Sequence, residues 1–334
     1  MPLNIAVLGA GRIGQVHAAA IASVPNANLV AVSDPDKAAA ESLRDQYGAA
    51  IKSIAEIHDD ADIDAVIICT PTDTHADLID QFARANKAIF CEKPIDLDVA
   101  RVLACLEIVS ETSATLMVGF NRRFDPDFSA LKAAIDDGRV GDVEMVTITS
   151  RDPGPPPYDY IERSGGIFRD MTIHDFDVAR WLLGEEVESV FASGSVMVDP
   201  EIGARGDFDS VNVILKTPSG RQAVITNSRR AVYGYDQRIE VHGSAGAVSA
   251  QNQHEARIEL ADAKGYHRPP LMNFFMNRYT TAYAAEISAF VHAVETESQP
   301  PTTGGDGLLA LVLAEAAVRS TAEARAVNVT EILG

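Results

Sequence analysis

The first 140 residues alternate between short apolar, β-rich runs and helical patterns, and this alternation limits the fold more than any other feature. The β-rich runs lie at 4–9, 28–34, 64–70, 88–94 and 115–120, and helical patterns follow at about 13–23, 36–47, 75–86, 97–112 and 125–137. Continuous apolar strands separated by helices of this length form a parallel sheet that is covered on both faces. Ligands bind such sheets beyond the carboxyl ends of the strands.

The first of these runs ends in GAGRIG, at residues 9–14. Between a strand and a helix, Gly9 permits a tight turn, Gly11 lets a pyrophosphate approach the backbone, and Gly14 permits close helix–strand contact. Asp34 ends the second run, where a carboxylate can bind ribose hydroxyls and would repel a 2′-phosphate. We therefore predict an NAD-binding Rossmann domain over residues 1–120, with NAD favoured over NADP.

The second half of the chain changes character, because β runs with hairpin turns replace the helical crossovers. These runs lie at 141–152, 187–198, 210–229, 237–252 and 255–262, and helical patterns close the chain at about 278–297 and 306–325. Alternating, turn-punctuated strands favour an antiparallel sheet. We predict an α+β domain over residues 121–334, which has a large, mostly antiparallel open sheet and serves substrate binding and oligomerisation. One face of this sheet would be covered by its own helices and the other by a neighbouring subunit.

Composition excludes several classes of function. The formal charge of −20 makes binding to nucleic acid or an anionic membrane unfavourable. No stretch has the roughly 18 apolar residues of a membrane span, and the N-terminus starts a strand without a basic signal region, so we expect a cytoplasmic protein. Cys69, Cys91 and Cys105 are scattered through apolar segments, so we expect small core residues and no metal site.

The segment GGIFRDMTIHDFDVARWLLG, at residues 165–184, places Asp170, His174 and Asp177 on one stripe of an otherwise apolar helix. One interpretation is structural: a carboxylate satisfies a core histidine, and Thr172 with Asp175 forms a capping box. The other is general acid–base chemistry, in which a carboxylate holds a histidine. The segment alone leaves both open.

Two further strand ends carry polar residues. TPTDTHA, at 70–76, follows one predicted strand and CEKP, at 91–94, follows the next. Thr72 or Thr74 could be an ordinary helix cap, and Lys93 an ordinary surface lysine. A lysine between Glu92 and Pro94, at a strand end where a nicotinamide should lie, favours a functional role.

Together these motifs resemble the glucose-fructose oxidoreductase, inositol dehydrogenase and rhizopine-catabolism (Gfo/Idh/MocA) family. The resemblance covers essentially the whole chain and rests on GAGRIG, the stretch from Thr70 to His75, EKP at 92–94, GFNRRFD at 119–125 and residues 165–184. The last motif and YGYDQRIEVHG at 233–243 look most like bacterial inositol 2-dehydrogenases. The family implies NAD or NADP, no metal, and commonly homotetramers built through the open sheet.

By this resemblance Lys93, Asp170 and His174 correspond to a catalytic trio. The implied activity is NAD-dependent oxidation of a secondary hydroxyl of myo- or scyllo-inositol to the inosose. His174 would act as base because its ordinary pKa suits that role, Asp170 would orient it, and Lys93 would place a positive charge near the developing alkoxide. Cofactor contacts are expected from Gly9, Gly11, Arg12, Ile13, Gly14, Asp34, Thr70, Pro71, His75, Glu92, Lys93 and Asn121. Substrate contacts are expected from Lys93, Asn121, Arg122, Asp152, Tyr160, Asp170, His174, Asp177, Tyr233 and Tyr235.

Two alternatives remain at this stage. The same family includes NAD-dependent dehydrogenases that act on aldoses such as L-glucose, and Asn121 stands where inositol dehydrogenases often carry an apolar residue. A catalytically silent dinucleotide-binding sensor could use the same fold. Loss of Lys93 or His174 would indicate such a sensor, and both residues are present.

Overall fold

The computed structural model describes residues 2–334, and its elements are numbered here in chain order. The strands are β1 Leu3–Leu8, β2 Ala27–Ser33, β3 Ala50–Ile51, β4 Ala65–Ile68, β5 Ala88–Glu92, β6 Leu116–Gly119, β7 Val143–Arg151, β8 Ser189–Ser195, β9 Ser210–Lys216, β10 Gln222–Ser228, β11 Asp236–Gly243, β12 Gly246–Ala250, β13 Leu260–Asp262, β14 Gly265–His267 and β15 Val327–Asn328. The helices are α1 Arg12–Ser23, α2 Lys37–Tyr47, α3 Ile54–Asp59, α4 His75–Arg84, α5 Val99–Thr112, α6 Pro126–Asp136, α7 Tyr158–Ser164, α8 Ile173–Leu183, α9 Pro200–Ala204, α10 Phe275–Arg278, α11 Thr280–Glu295, α12 Gly304–Glu323 and α13 Thr330–Leu333.

The chain forms two compact units. The first comprises the N-terminal residues through Asp125 together with Thr280–Leu311, and the second comprises Pro126–Tyr279 with Val312–Gly334. Helix α11, which is distant in sequence, therefore belongs with the first unit and packs on α1.

The first unit is built on a parallel six-stranded sheet in the order β3-β2-β1-β4-β5-β6. Its central strands are almost fully buried, which explains their continuous apolar sequences. The strand order reverses between β1 and β4, and the crevice beyond the strand ends at such a point is where ligands bind. The predicted parallel α/β domain is confirmed, and its five strands and five helices lie within two residues of their predicted positions. The short β3 and α3 were not predicted.

The second unit is built on a seven-stranded sheet in the order β12-β11-β7-β10-β9-β8-β15. Only the β7–β10 pair is parallel, so the predicted mostly antiparallel sheet is confirmed. Helix α8 covers one face by packing on β7 and β10. Residues of β8 to β10 alternate between buried and more exposed positions, because their other side chains lie on the face away from α8.

Two predictions in this unit are wrong. The predicted strand at 255–262 contains only β13, which pairs with β14 in an isolated hairpin. Its residues are exposed, so their alternation has no core to face. The segment 165–184 is also not one α-helix: a π-helical turn spans Phe168–Thr172 and α8 begins at Ile173. The wider turn changes the angular relation between Asp170 and His174 that an ideal α-helix would give.

Cys69, Cys91 and Cys105 are buried free thiols, as predicted. Burial raises the pKa of each, that of Cys105 to about 12. Across residues 2–334, no cluster of three or more histidine, cysteine or acidic side chains is arranged to hold a metal ion. No helix in that range has the length and apolar character needed to span a bilayer.

Candidate functional site

In the first unit, the three glycines of the loop after β1 face different surroundings. Gly9 has φ +95°, and a Cβ there would lie 2.7 Å from the Cys69 carbonyl oxygen. A Cβ at Gly14 would lie 1.9 Å from the Gly9 carbonyl oxygen. A Cβ at Gly11 would meet no atom within 4 Å, so Gly11 borders open space at the N-terminus of α1. Gly9 and Gly14 are thus required by packing, and Gly11 leaves room where a pyrophosphate would approach the backbone.

Asp34 lies directly after β2 and contacts this loop. Its Oδ2 accepts a 2.5 Å hydrogen bond from the Ala10 backbone N–H, and its Oδ1 accepts one of 2.7 Å from Asp36. The carboxylate is only partly buried. It is therefore fixed beside the glycine loop, in the position where a carboxylate binds ribose hydroxyls.

His75 connects the ends of two neighbouring strands. Its Nε2 lies 2.8 Å from the carbonyl oxygen of Thr70, after β4, and its Nδ1 lies 2.7 Å from that of Pro94, after β5. The Thr70 and Thr74 hydroxyls are 2.6 Å apart. The buried imidazole thus sets the spacing of the two strand ends that carry Thr70 and Lys93.

The carboxylate of Glu92, the last residue of β5, contacts the His17 imidazole and the Lys93 backbone N–H. Its Oε1 lies 2.7 Å from Nε2 of the fully buried His17 on α1. Its Oε2 accepts a 3.3 Å hydrogen bond from the Lys93 backbone N–H. A Cβ at Gly119 would come within 3.2 Å of this carboxyl group, so glycine leaves the room that Glu92 occupies. Helix α1 and the Lys93 backbone are therefore linked through the Glu92 carboxylate.

The remaining predicted cofactor residues also lie in the first unit. Arg12 and Pro71 are exposed, and Ile13 and Lys93 are partly buried. Asn121 and Arg122 are buried in a 3₁₀ turn after β6.

In the second unit, Asp170 lies in the π-helical turn before α8 and is held by two donors. The Tyr160 hydroxyl donates a 2.8 Å hydrogen bond to Oδ1, and Nη1 of Arg229 donates one of 3.4 Å to Oδ2. Asp170 is partly buried, whereas Arg229 is 1% exposed. His174 follows on the first turn of α8 and is also partly buried. The structure thus brings Asp170 and Tyr160, two of the predicted substrate residues, together with Arg229.

Thr172 and Asp175 do not form the capping box that the structural interpretation proposed. The Thr172 hydroxyl donates to Oδ1 of Asn227 at 2.7 Å. Asp175 is fully buried and accepts hydrogen bonds from the Ser150 hydroxyl at 2.6 Å and from Nδ2 of Asn227 at 2.8 Å. These residues bind α8 to β7 and β10 because a buried carboxylate requires donors from its neighbours.

The two predicted tyrosines after β10 have different surroundings. The Tyr233 hydroxyl accepts a 2.8 Å hydrogen bond from Arg151 and donates one of 2.6 Å to Asp236. Burial alone would raise the pKa of Asp236, but the hydrogen bonds from Arg238, Tyr233 and Asn252 together outweigh burial. The pKa of Asp236 is therefore below its ordinary value. Tyr235 is buried and stacks edge-on against Tyr279.

Tyr233 and Asp236 line an open cavity of about 600 Å³ in the second unit, and no other predicted site residue lines it in the described chain. Asp177 is fully buried in α8, and Asp152 is partly buried just after β7. Tyr233 lines this cavity, whereas Tyr160, Asp170 and Arg229 do not.

Three contributors were not predicted from the sequence. His17 occupies an apolar face of α1, and Arg229 follows β10 in an ordinary-looking NSRR stretch. Asp207 lies in a loop, with Oδ2 3.6 Å from Nη2 of Arg229. Buried charged groups need partners, but the partners of these residues are distant in sequence, so no local pattern indicates them.

The first unit can hold a dinucleotide on a glycine loop and helix N-terminus, beside a carboxylate for the ribose. The second unit presents a carboxylate and an imidazole four residues apart at the start of a helix. Carboxylate-held histidines serve as proton acceptors in alcohol oxidation when a dinucleotide takes the hydride.

Comparison with known proteins agrees with this division. Residues 3–120 match the model for an oxidoreductase family with an NAD-binding Rossmann fold, and residues 128–249 match that for the GFO/IDH/MocA C-terminal domain.

Individual relatives align along almost the whole chain. Inositol 2-dehydrogenase of Rhizobium meliloti is 64% identical, with 98% of this chain and 100% of the relative covered. Myo-inositol 2-dehydrogenase of Thermotoga maritima is 46% identical, with coverage of 99% and 100%. The crystal structure of scyllo-inositol dehydrogenase from Lactobacillus casei, with bound NAD(H) and scyllo-inositol, has a TM-score of 0.92 at 28% identity and covers 99% of this chain and 100% of that one.

Proposed function

Because the chain belongs to the Gfo/Idh/MocA oxidoreductase family, we propose that it is an inositol 2-dehydrogenase. It would oxidise a secondary hydroxyl of myo- or scyllo-inositol to the corresponding inosose with NAD. The 64% identity to an inositol 2-dehydrogenase over 98% of the chain carries this proposal. The Asp170 and His174 arrangement supplies the proton chemistry that the reaction needs.

The residues that would hold NAD are those of the first unit. Gly9, Gly11 and Gly14 would let the pyrophosphate bind at the N-terminus of α1, and Asp34 would accept hydrogen bonds from the adenosine ribose hydroxyls. Arg12, Ile13, Thr70, Pro71, His75, Glu92, Lys93 and Asn121 complete the expected contacts. When bound, NAD supplies the hydride acceptor, C4 of its nicotinamide ring.

Proton transfer is the task of the protein. His174 takes the proton of the substrate hydroxyl as hydride leaves the same carbon, and Asp170 orients the imidazole and stabilises its charged form. Lys93 places a positive charge beside the oxygen as it becomes a carbonyl. Arg122, Asn121, Asp152, Tyr160, Asp177, Tyr233 and Tyr235 are the proposed sources of hydrogen bonds to a neutral polyol.

We propose in addition that the protein is a cytoplasmic homotetramer that assembles through the open sheet. On the face away from α8, Phe191, Ile214 and Val224 lie side by side across β8, β9 and β10. All three are large, exposed apolar residues, and Met145 on β7 is a fourth. Contiguous apolar patches of this kind mark protein–protein contacts.

The activity is tested by measuring NADH formation with myo-inositol, scyllo-inositol, other cyclitols, and D- and L-aldoses. We expect turnover with at least one inositol and a kcat/KM for aldoses lower by about tenfold or more. Turnover with an aldose alone would identify the sugar dehydrogenase of the alternative interpretation. The absence of NADH formation with every compound would favour the non-catalytic sensor.

A further inference from the structure

Arg229 is a deeply buried cation in contact with the proposed catalytic residue Asp170. It follows β10, its side chain is 1% exposed, and its backbone N–H donates a 2.8 Å hydrogen bond to the Asp209 carbonyl oxygen. A buried guanidinium is costly unless carboxylates balance it. Its position in the second unit therefore depends on the acids that it contacts.

Two carboxylates contact Arg229: Asp170 lies within the π-helical turn, and Asp207 lies in a distant loop and binds the backbone just before that turn. Nη1 lies 3.4 Å from Oδ2 of Asp170, which is inside the π-helical turn. Nη2 lies 3.6 Å from Oδ2 of Asp207. Oδ1 of Asp207 accepts a 2.9 Å hydrogen bond from the backbone N–H of Ile167, just before the turn.

The backbone at Gly166 leaves room for the Asp207 carboxylate. Gly166 has φ +84°, and a Cβ there would lie 2.7 Å from Oδ1 of Asp207. A side chain at this position would displace the carboxylate that anchors the turn. Arg229, Asp207 and Gly166 thus fix the entry to the turn, and Arg229 also fixes Asp170 within it.

We propose that Arg229 is a positioning residue that acts on catalysis through Asp170. It holds one carboxylate oxygen while Tyr160 holds the other, so the carboxylate has a fixed direction toward its functional partner. A small displacement of a positioned catalytic group lowers the reaction rate substantially. The inference rests on the proposed role of Asp170.

The test is a double-mutant cycle on polyol oxidation with the Arg229→Gln, Asp170→Asn and combined variants. We expect Arg229→Gln to lower kcat by about tenfold to a hundredfold, with the Kd for NAD unchanged. In the Asp170→Asn background the same substitution should change kcat by less than about twofold, because the residue through which it acts has been removed. A purely structural role would lower kcat by the same factor in both backgrounds, and that result would overturn the inference.

Two control variants separate a loss of catalysis from a loss of folding. Arg229→Lys keeps the charge but loses the planar fork, so it should retain the fold and lose part of kcat, and it replaces Arg229→Gln in the cycle if that variant does not fold. Arg180→Gln, which removes another buried guanidinium of the same unit, one that pairs with the largely exposed Glu186, should lower thermal stability with kcat unchanged. If Arg180→Gln and Arg229→Gln lower kcat equally, the inference is wrong.

The outcome separates this inference from the proposed function. Wild-type protein that oxidises no polyol would overturn both. Wild-type activity with additive effects of Arg229→Gln and Asp170→Asn would overturn the positioning role alone and leave the inositol dehydrogenase intact.

Discussion

Glu92 and His17 form a buried pair, 75 positions apart in the chain, with 2.7 Å between Oε1 and Nε2. The same carboxylate accepts the Lys93 backbone N–H. It therefore couples the helix that begins at the dinucleotide loop to the strand end that carries the proposed catalytic lysine.

Glu92→Gln should destabilise the first unit. The amide keeps the size of the side chain but removes the charge that strengthens both hydrogen bonds, so we expect the free energy of unfolding to fall by about 1–3 kcal/mol. Urea denaturation measures this free energy of unfolding. Glu41→Gln, at a half-exposed position on α2, is the control and should change stability by less than about 0.5 kcal/mol. Equal stability of the Glu92 variant and the wild type would show that the pair contributes nothing.

Asp34→Ala should narrow the preference for NAD over NADP. The substitution removes the ribose acceptor and the negative charge that would repel a 2′-phosphate. We expect the KM for NAD to rise about tenfold, the cost of one hydrogen bond to a charged group, and the NADP reaction to change less. Steady-state kinetics with both cofactors tests this, with Asp45→Ala on the exposed face of α2 as the control. A wild-type enzyme that prefers NADP would refute the role of Asp34.

Ile214→Lys should disrupt the proposed tetramer. Ile214 lies between Phe191 and Val224 at the centre of the apolar patch, and burying an unpaired ammonium against a second copy is costly. Light scattering after size-exclusion chromatography should show dimers or monomers. Leu103→Lys, a change at a similarly exposed leucine on α5, should leave the mass unchanged. A tetrameric Ile214→Lys variant would place the interface elsewhere.

Asp209 should make stability depend on pH in the acid range. Burial raises the pKa of this carboxyl group, but the backbone N–H groups of Met197, Asp199 and Val198 together hold it below its ordinary value. A lowered folded-state pKa contributes stability above about pH 4 that is lost as the pH falls through the folded value. The difference in Tm between wild type and Asp209→Asn should therefore be greatest near pH 7 and shrink toward pH 3. A constant difference across that range would contradict the assignment.

The sequence predicted the five longer strands of the first unit because their signals are local. Each of these strands is a continuous apolar run, and the glycine loop combines spacing with context. The strand predicted at 255–262 was too long because alternation without a core does not produce a long strand.

The surroundings of Asp170 could not be predicted, because they depend on contacts between distant segments. The spacing of Asp170 and His174 in the sequence does not indicate that a π-helical turn lies there. Arg229 contacts both Asp170 and Asp207, and it is 59 positions away from Asp170 in the chain. Thr172 and Asp175 resemble a helix cap in sequence, yet they form hydrogen bonds with Asn227 and Ser150 because β7 and β10 bring those side chains next to α8.

The central claim of the proposed function is that Lys93 and His174 act on the same substrate hydroxyl. A crystal structure of the protein with NADH and myo-inositol tests it most directly. The account predicts that Nζ of Lys93 and a ring nitrogen of His174 both lie within about 3.2 Å of one inositol hydroxyl, whose carbon faces C4 of the nicotinamide. A complex in which either side chain points away from that hydroxyl would contradict it.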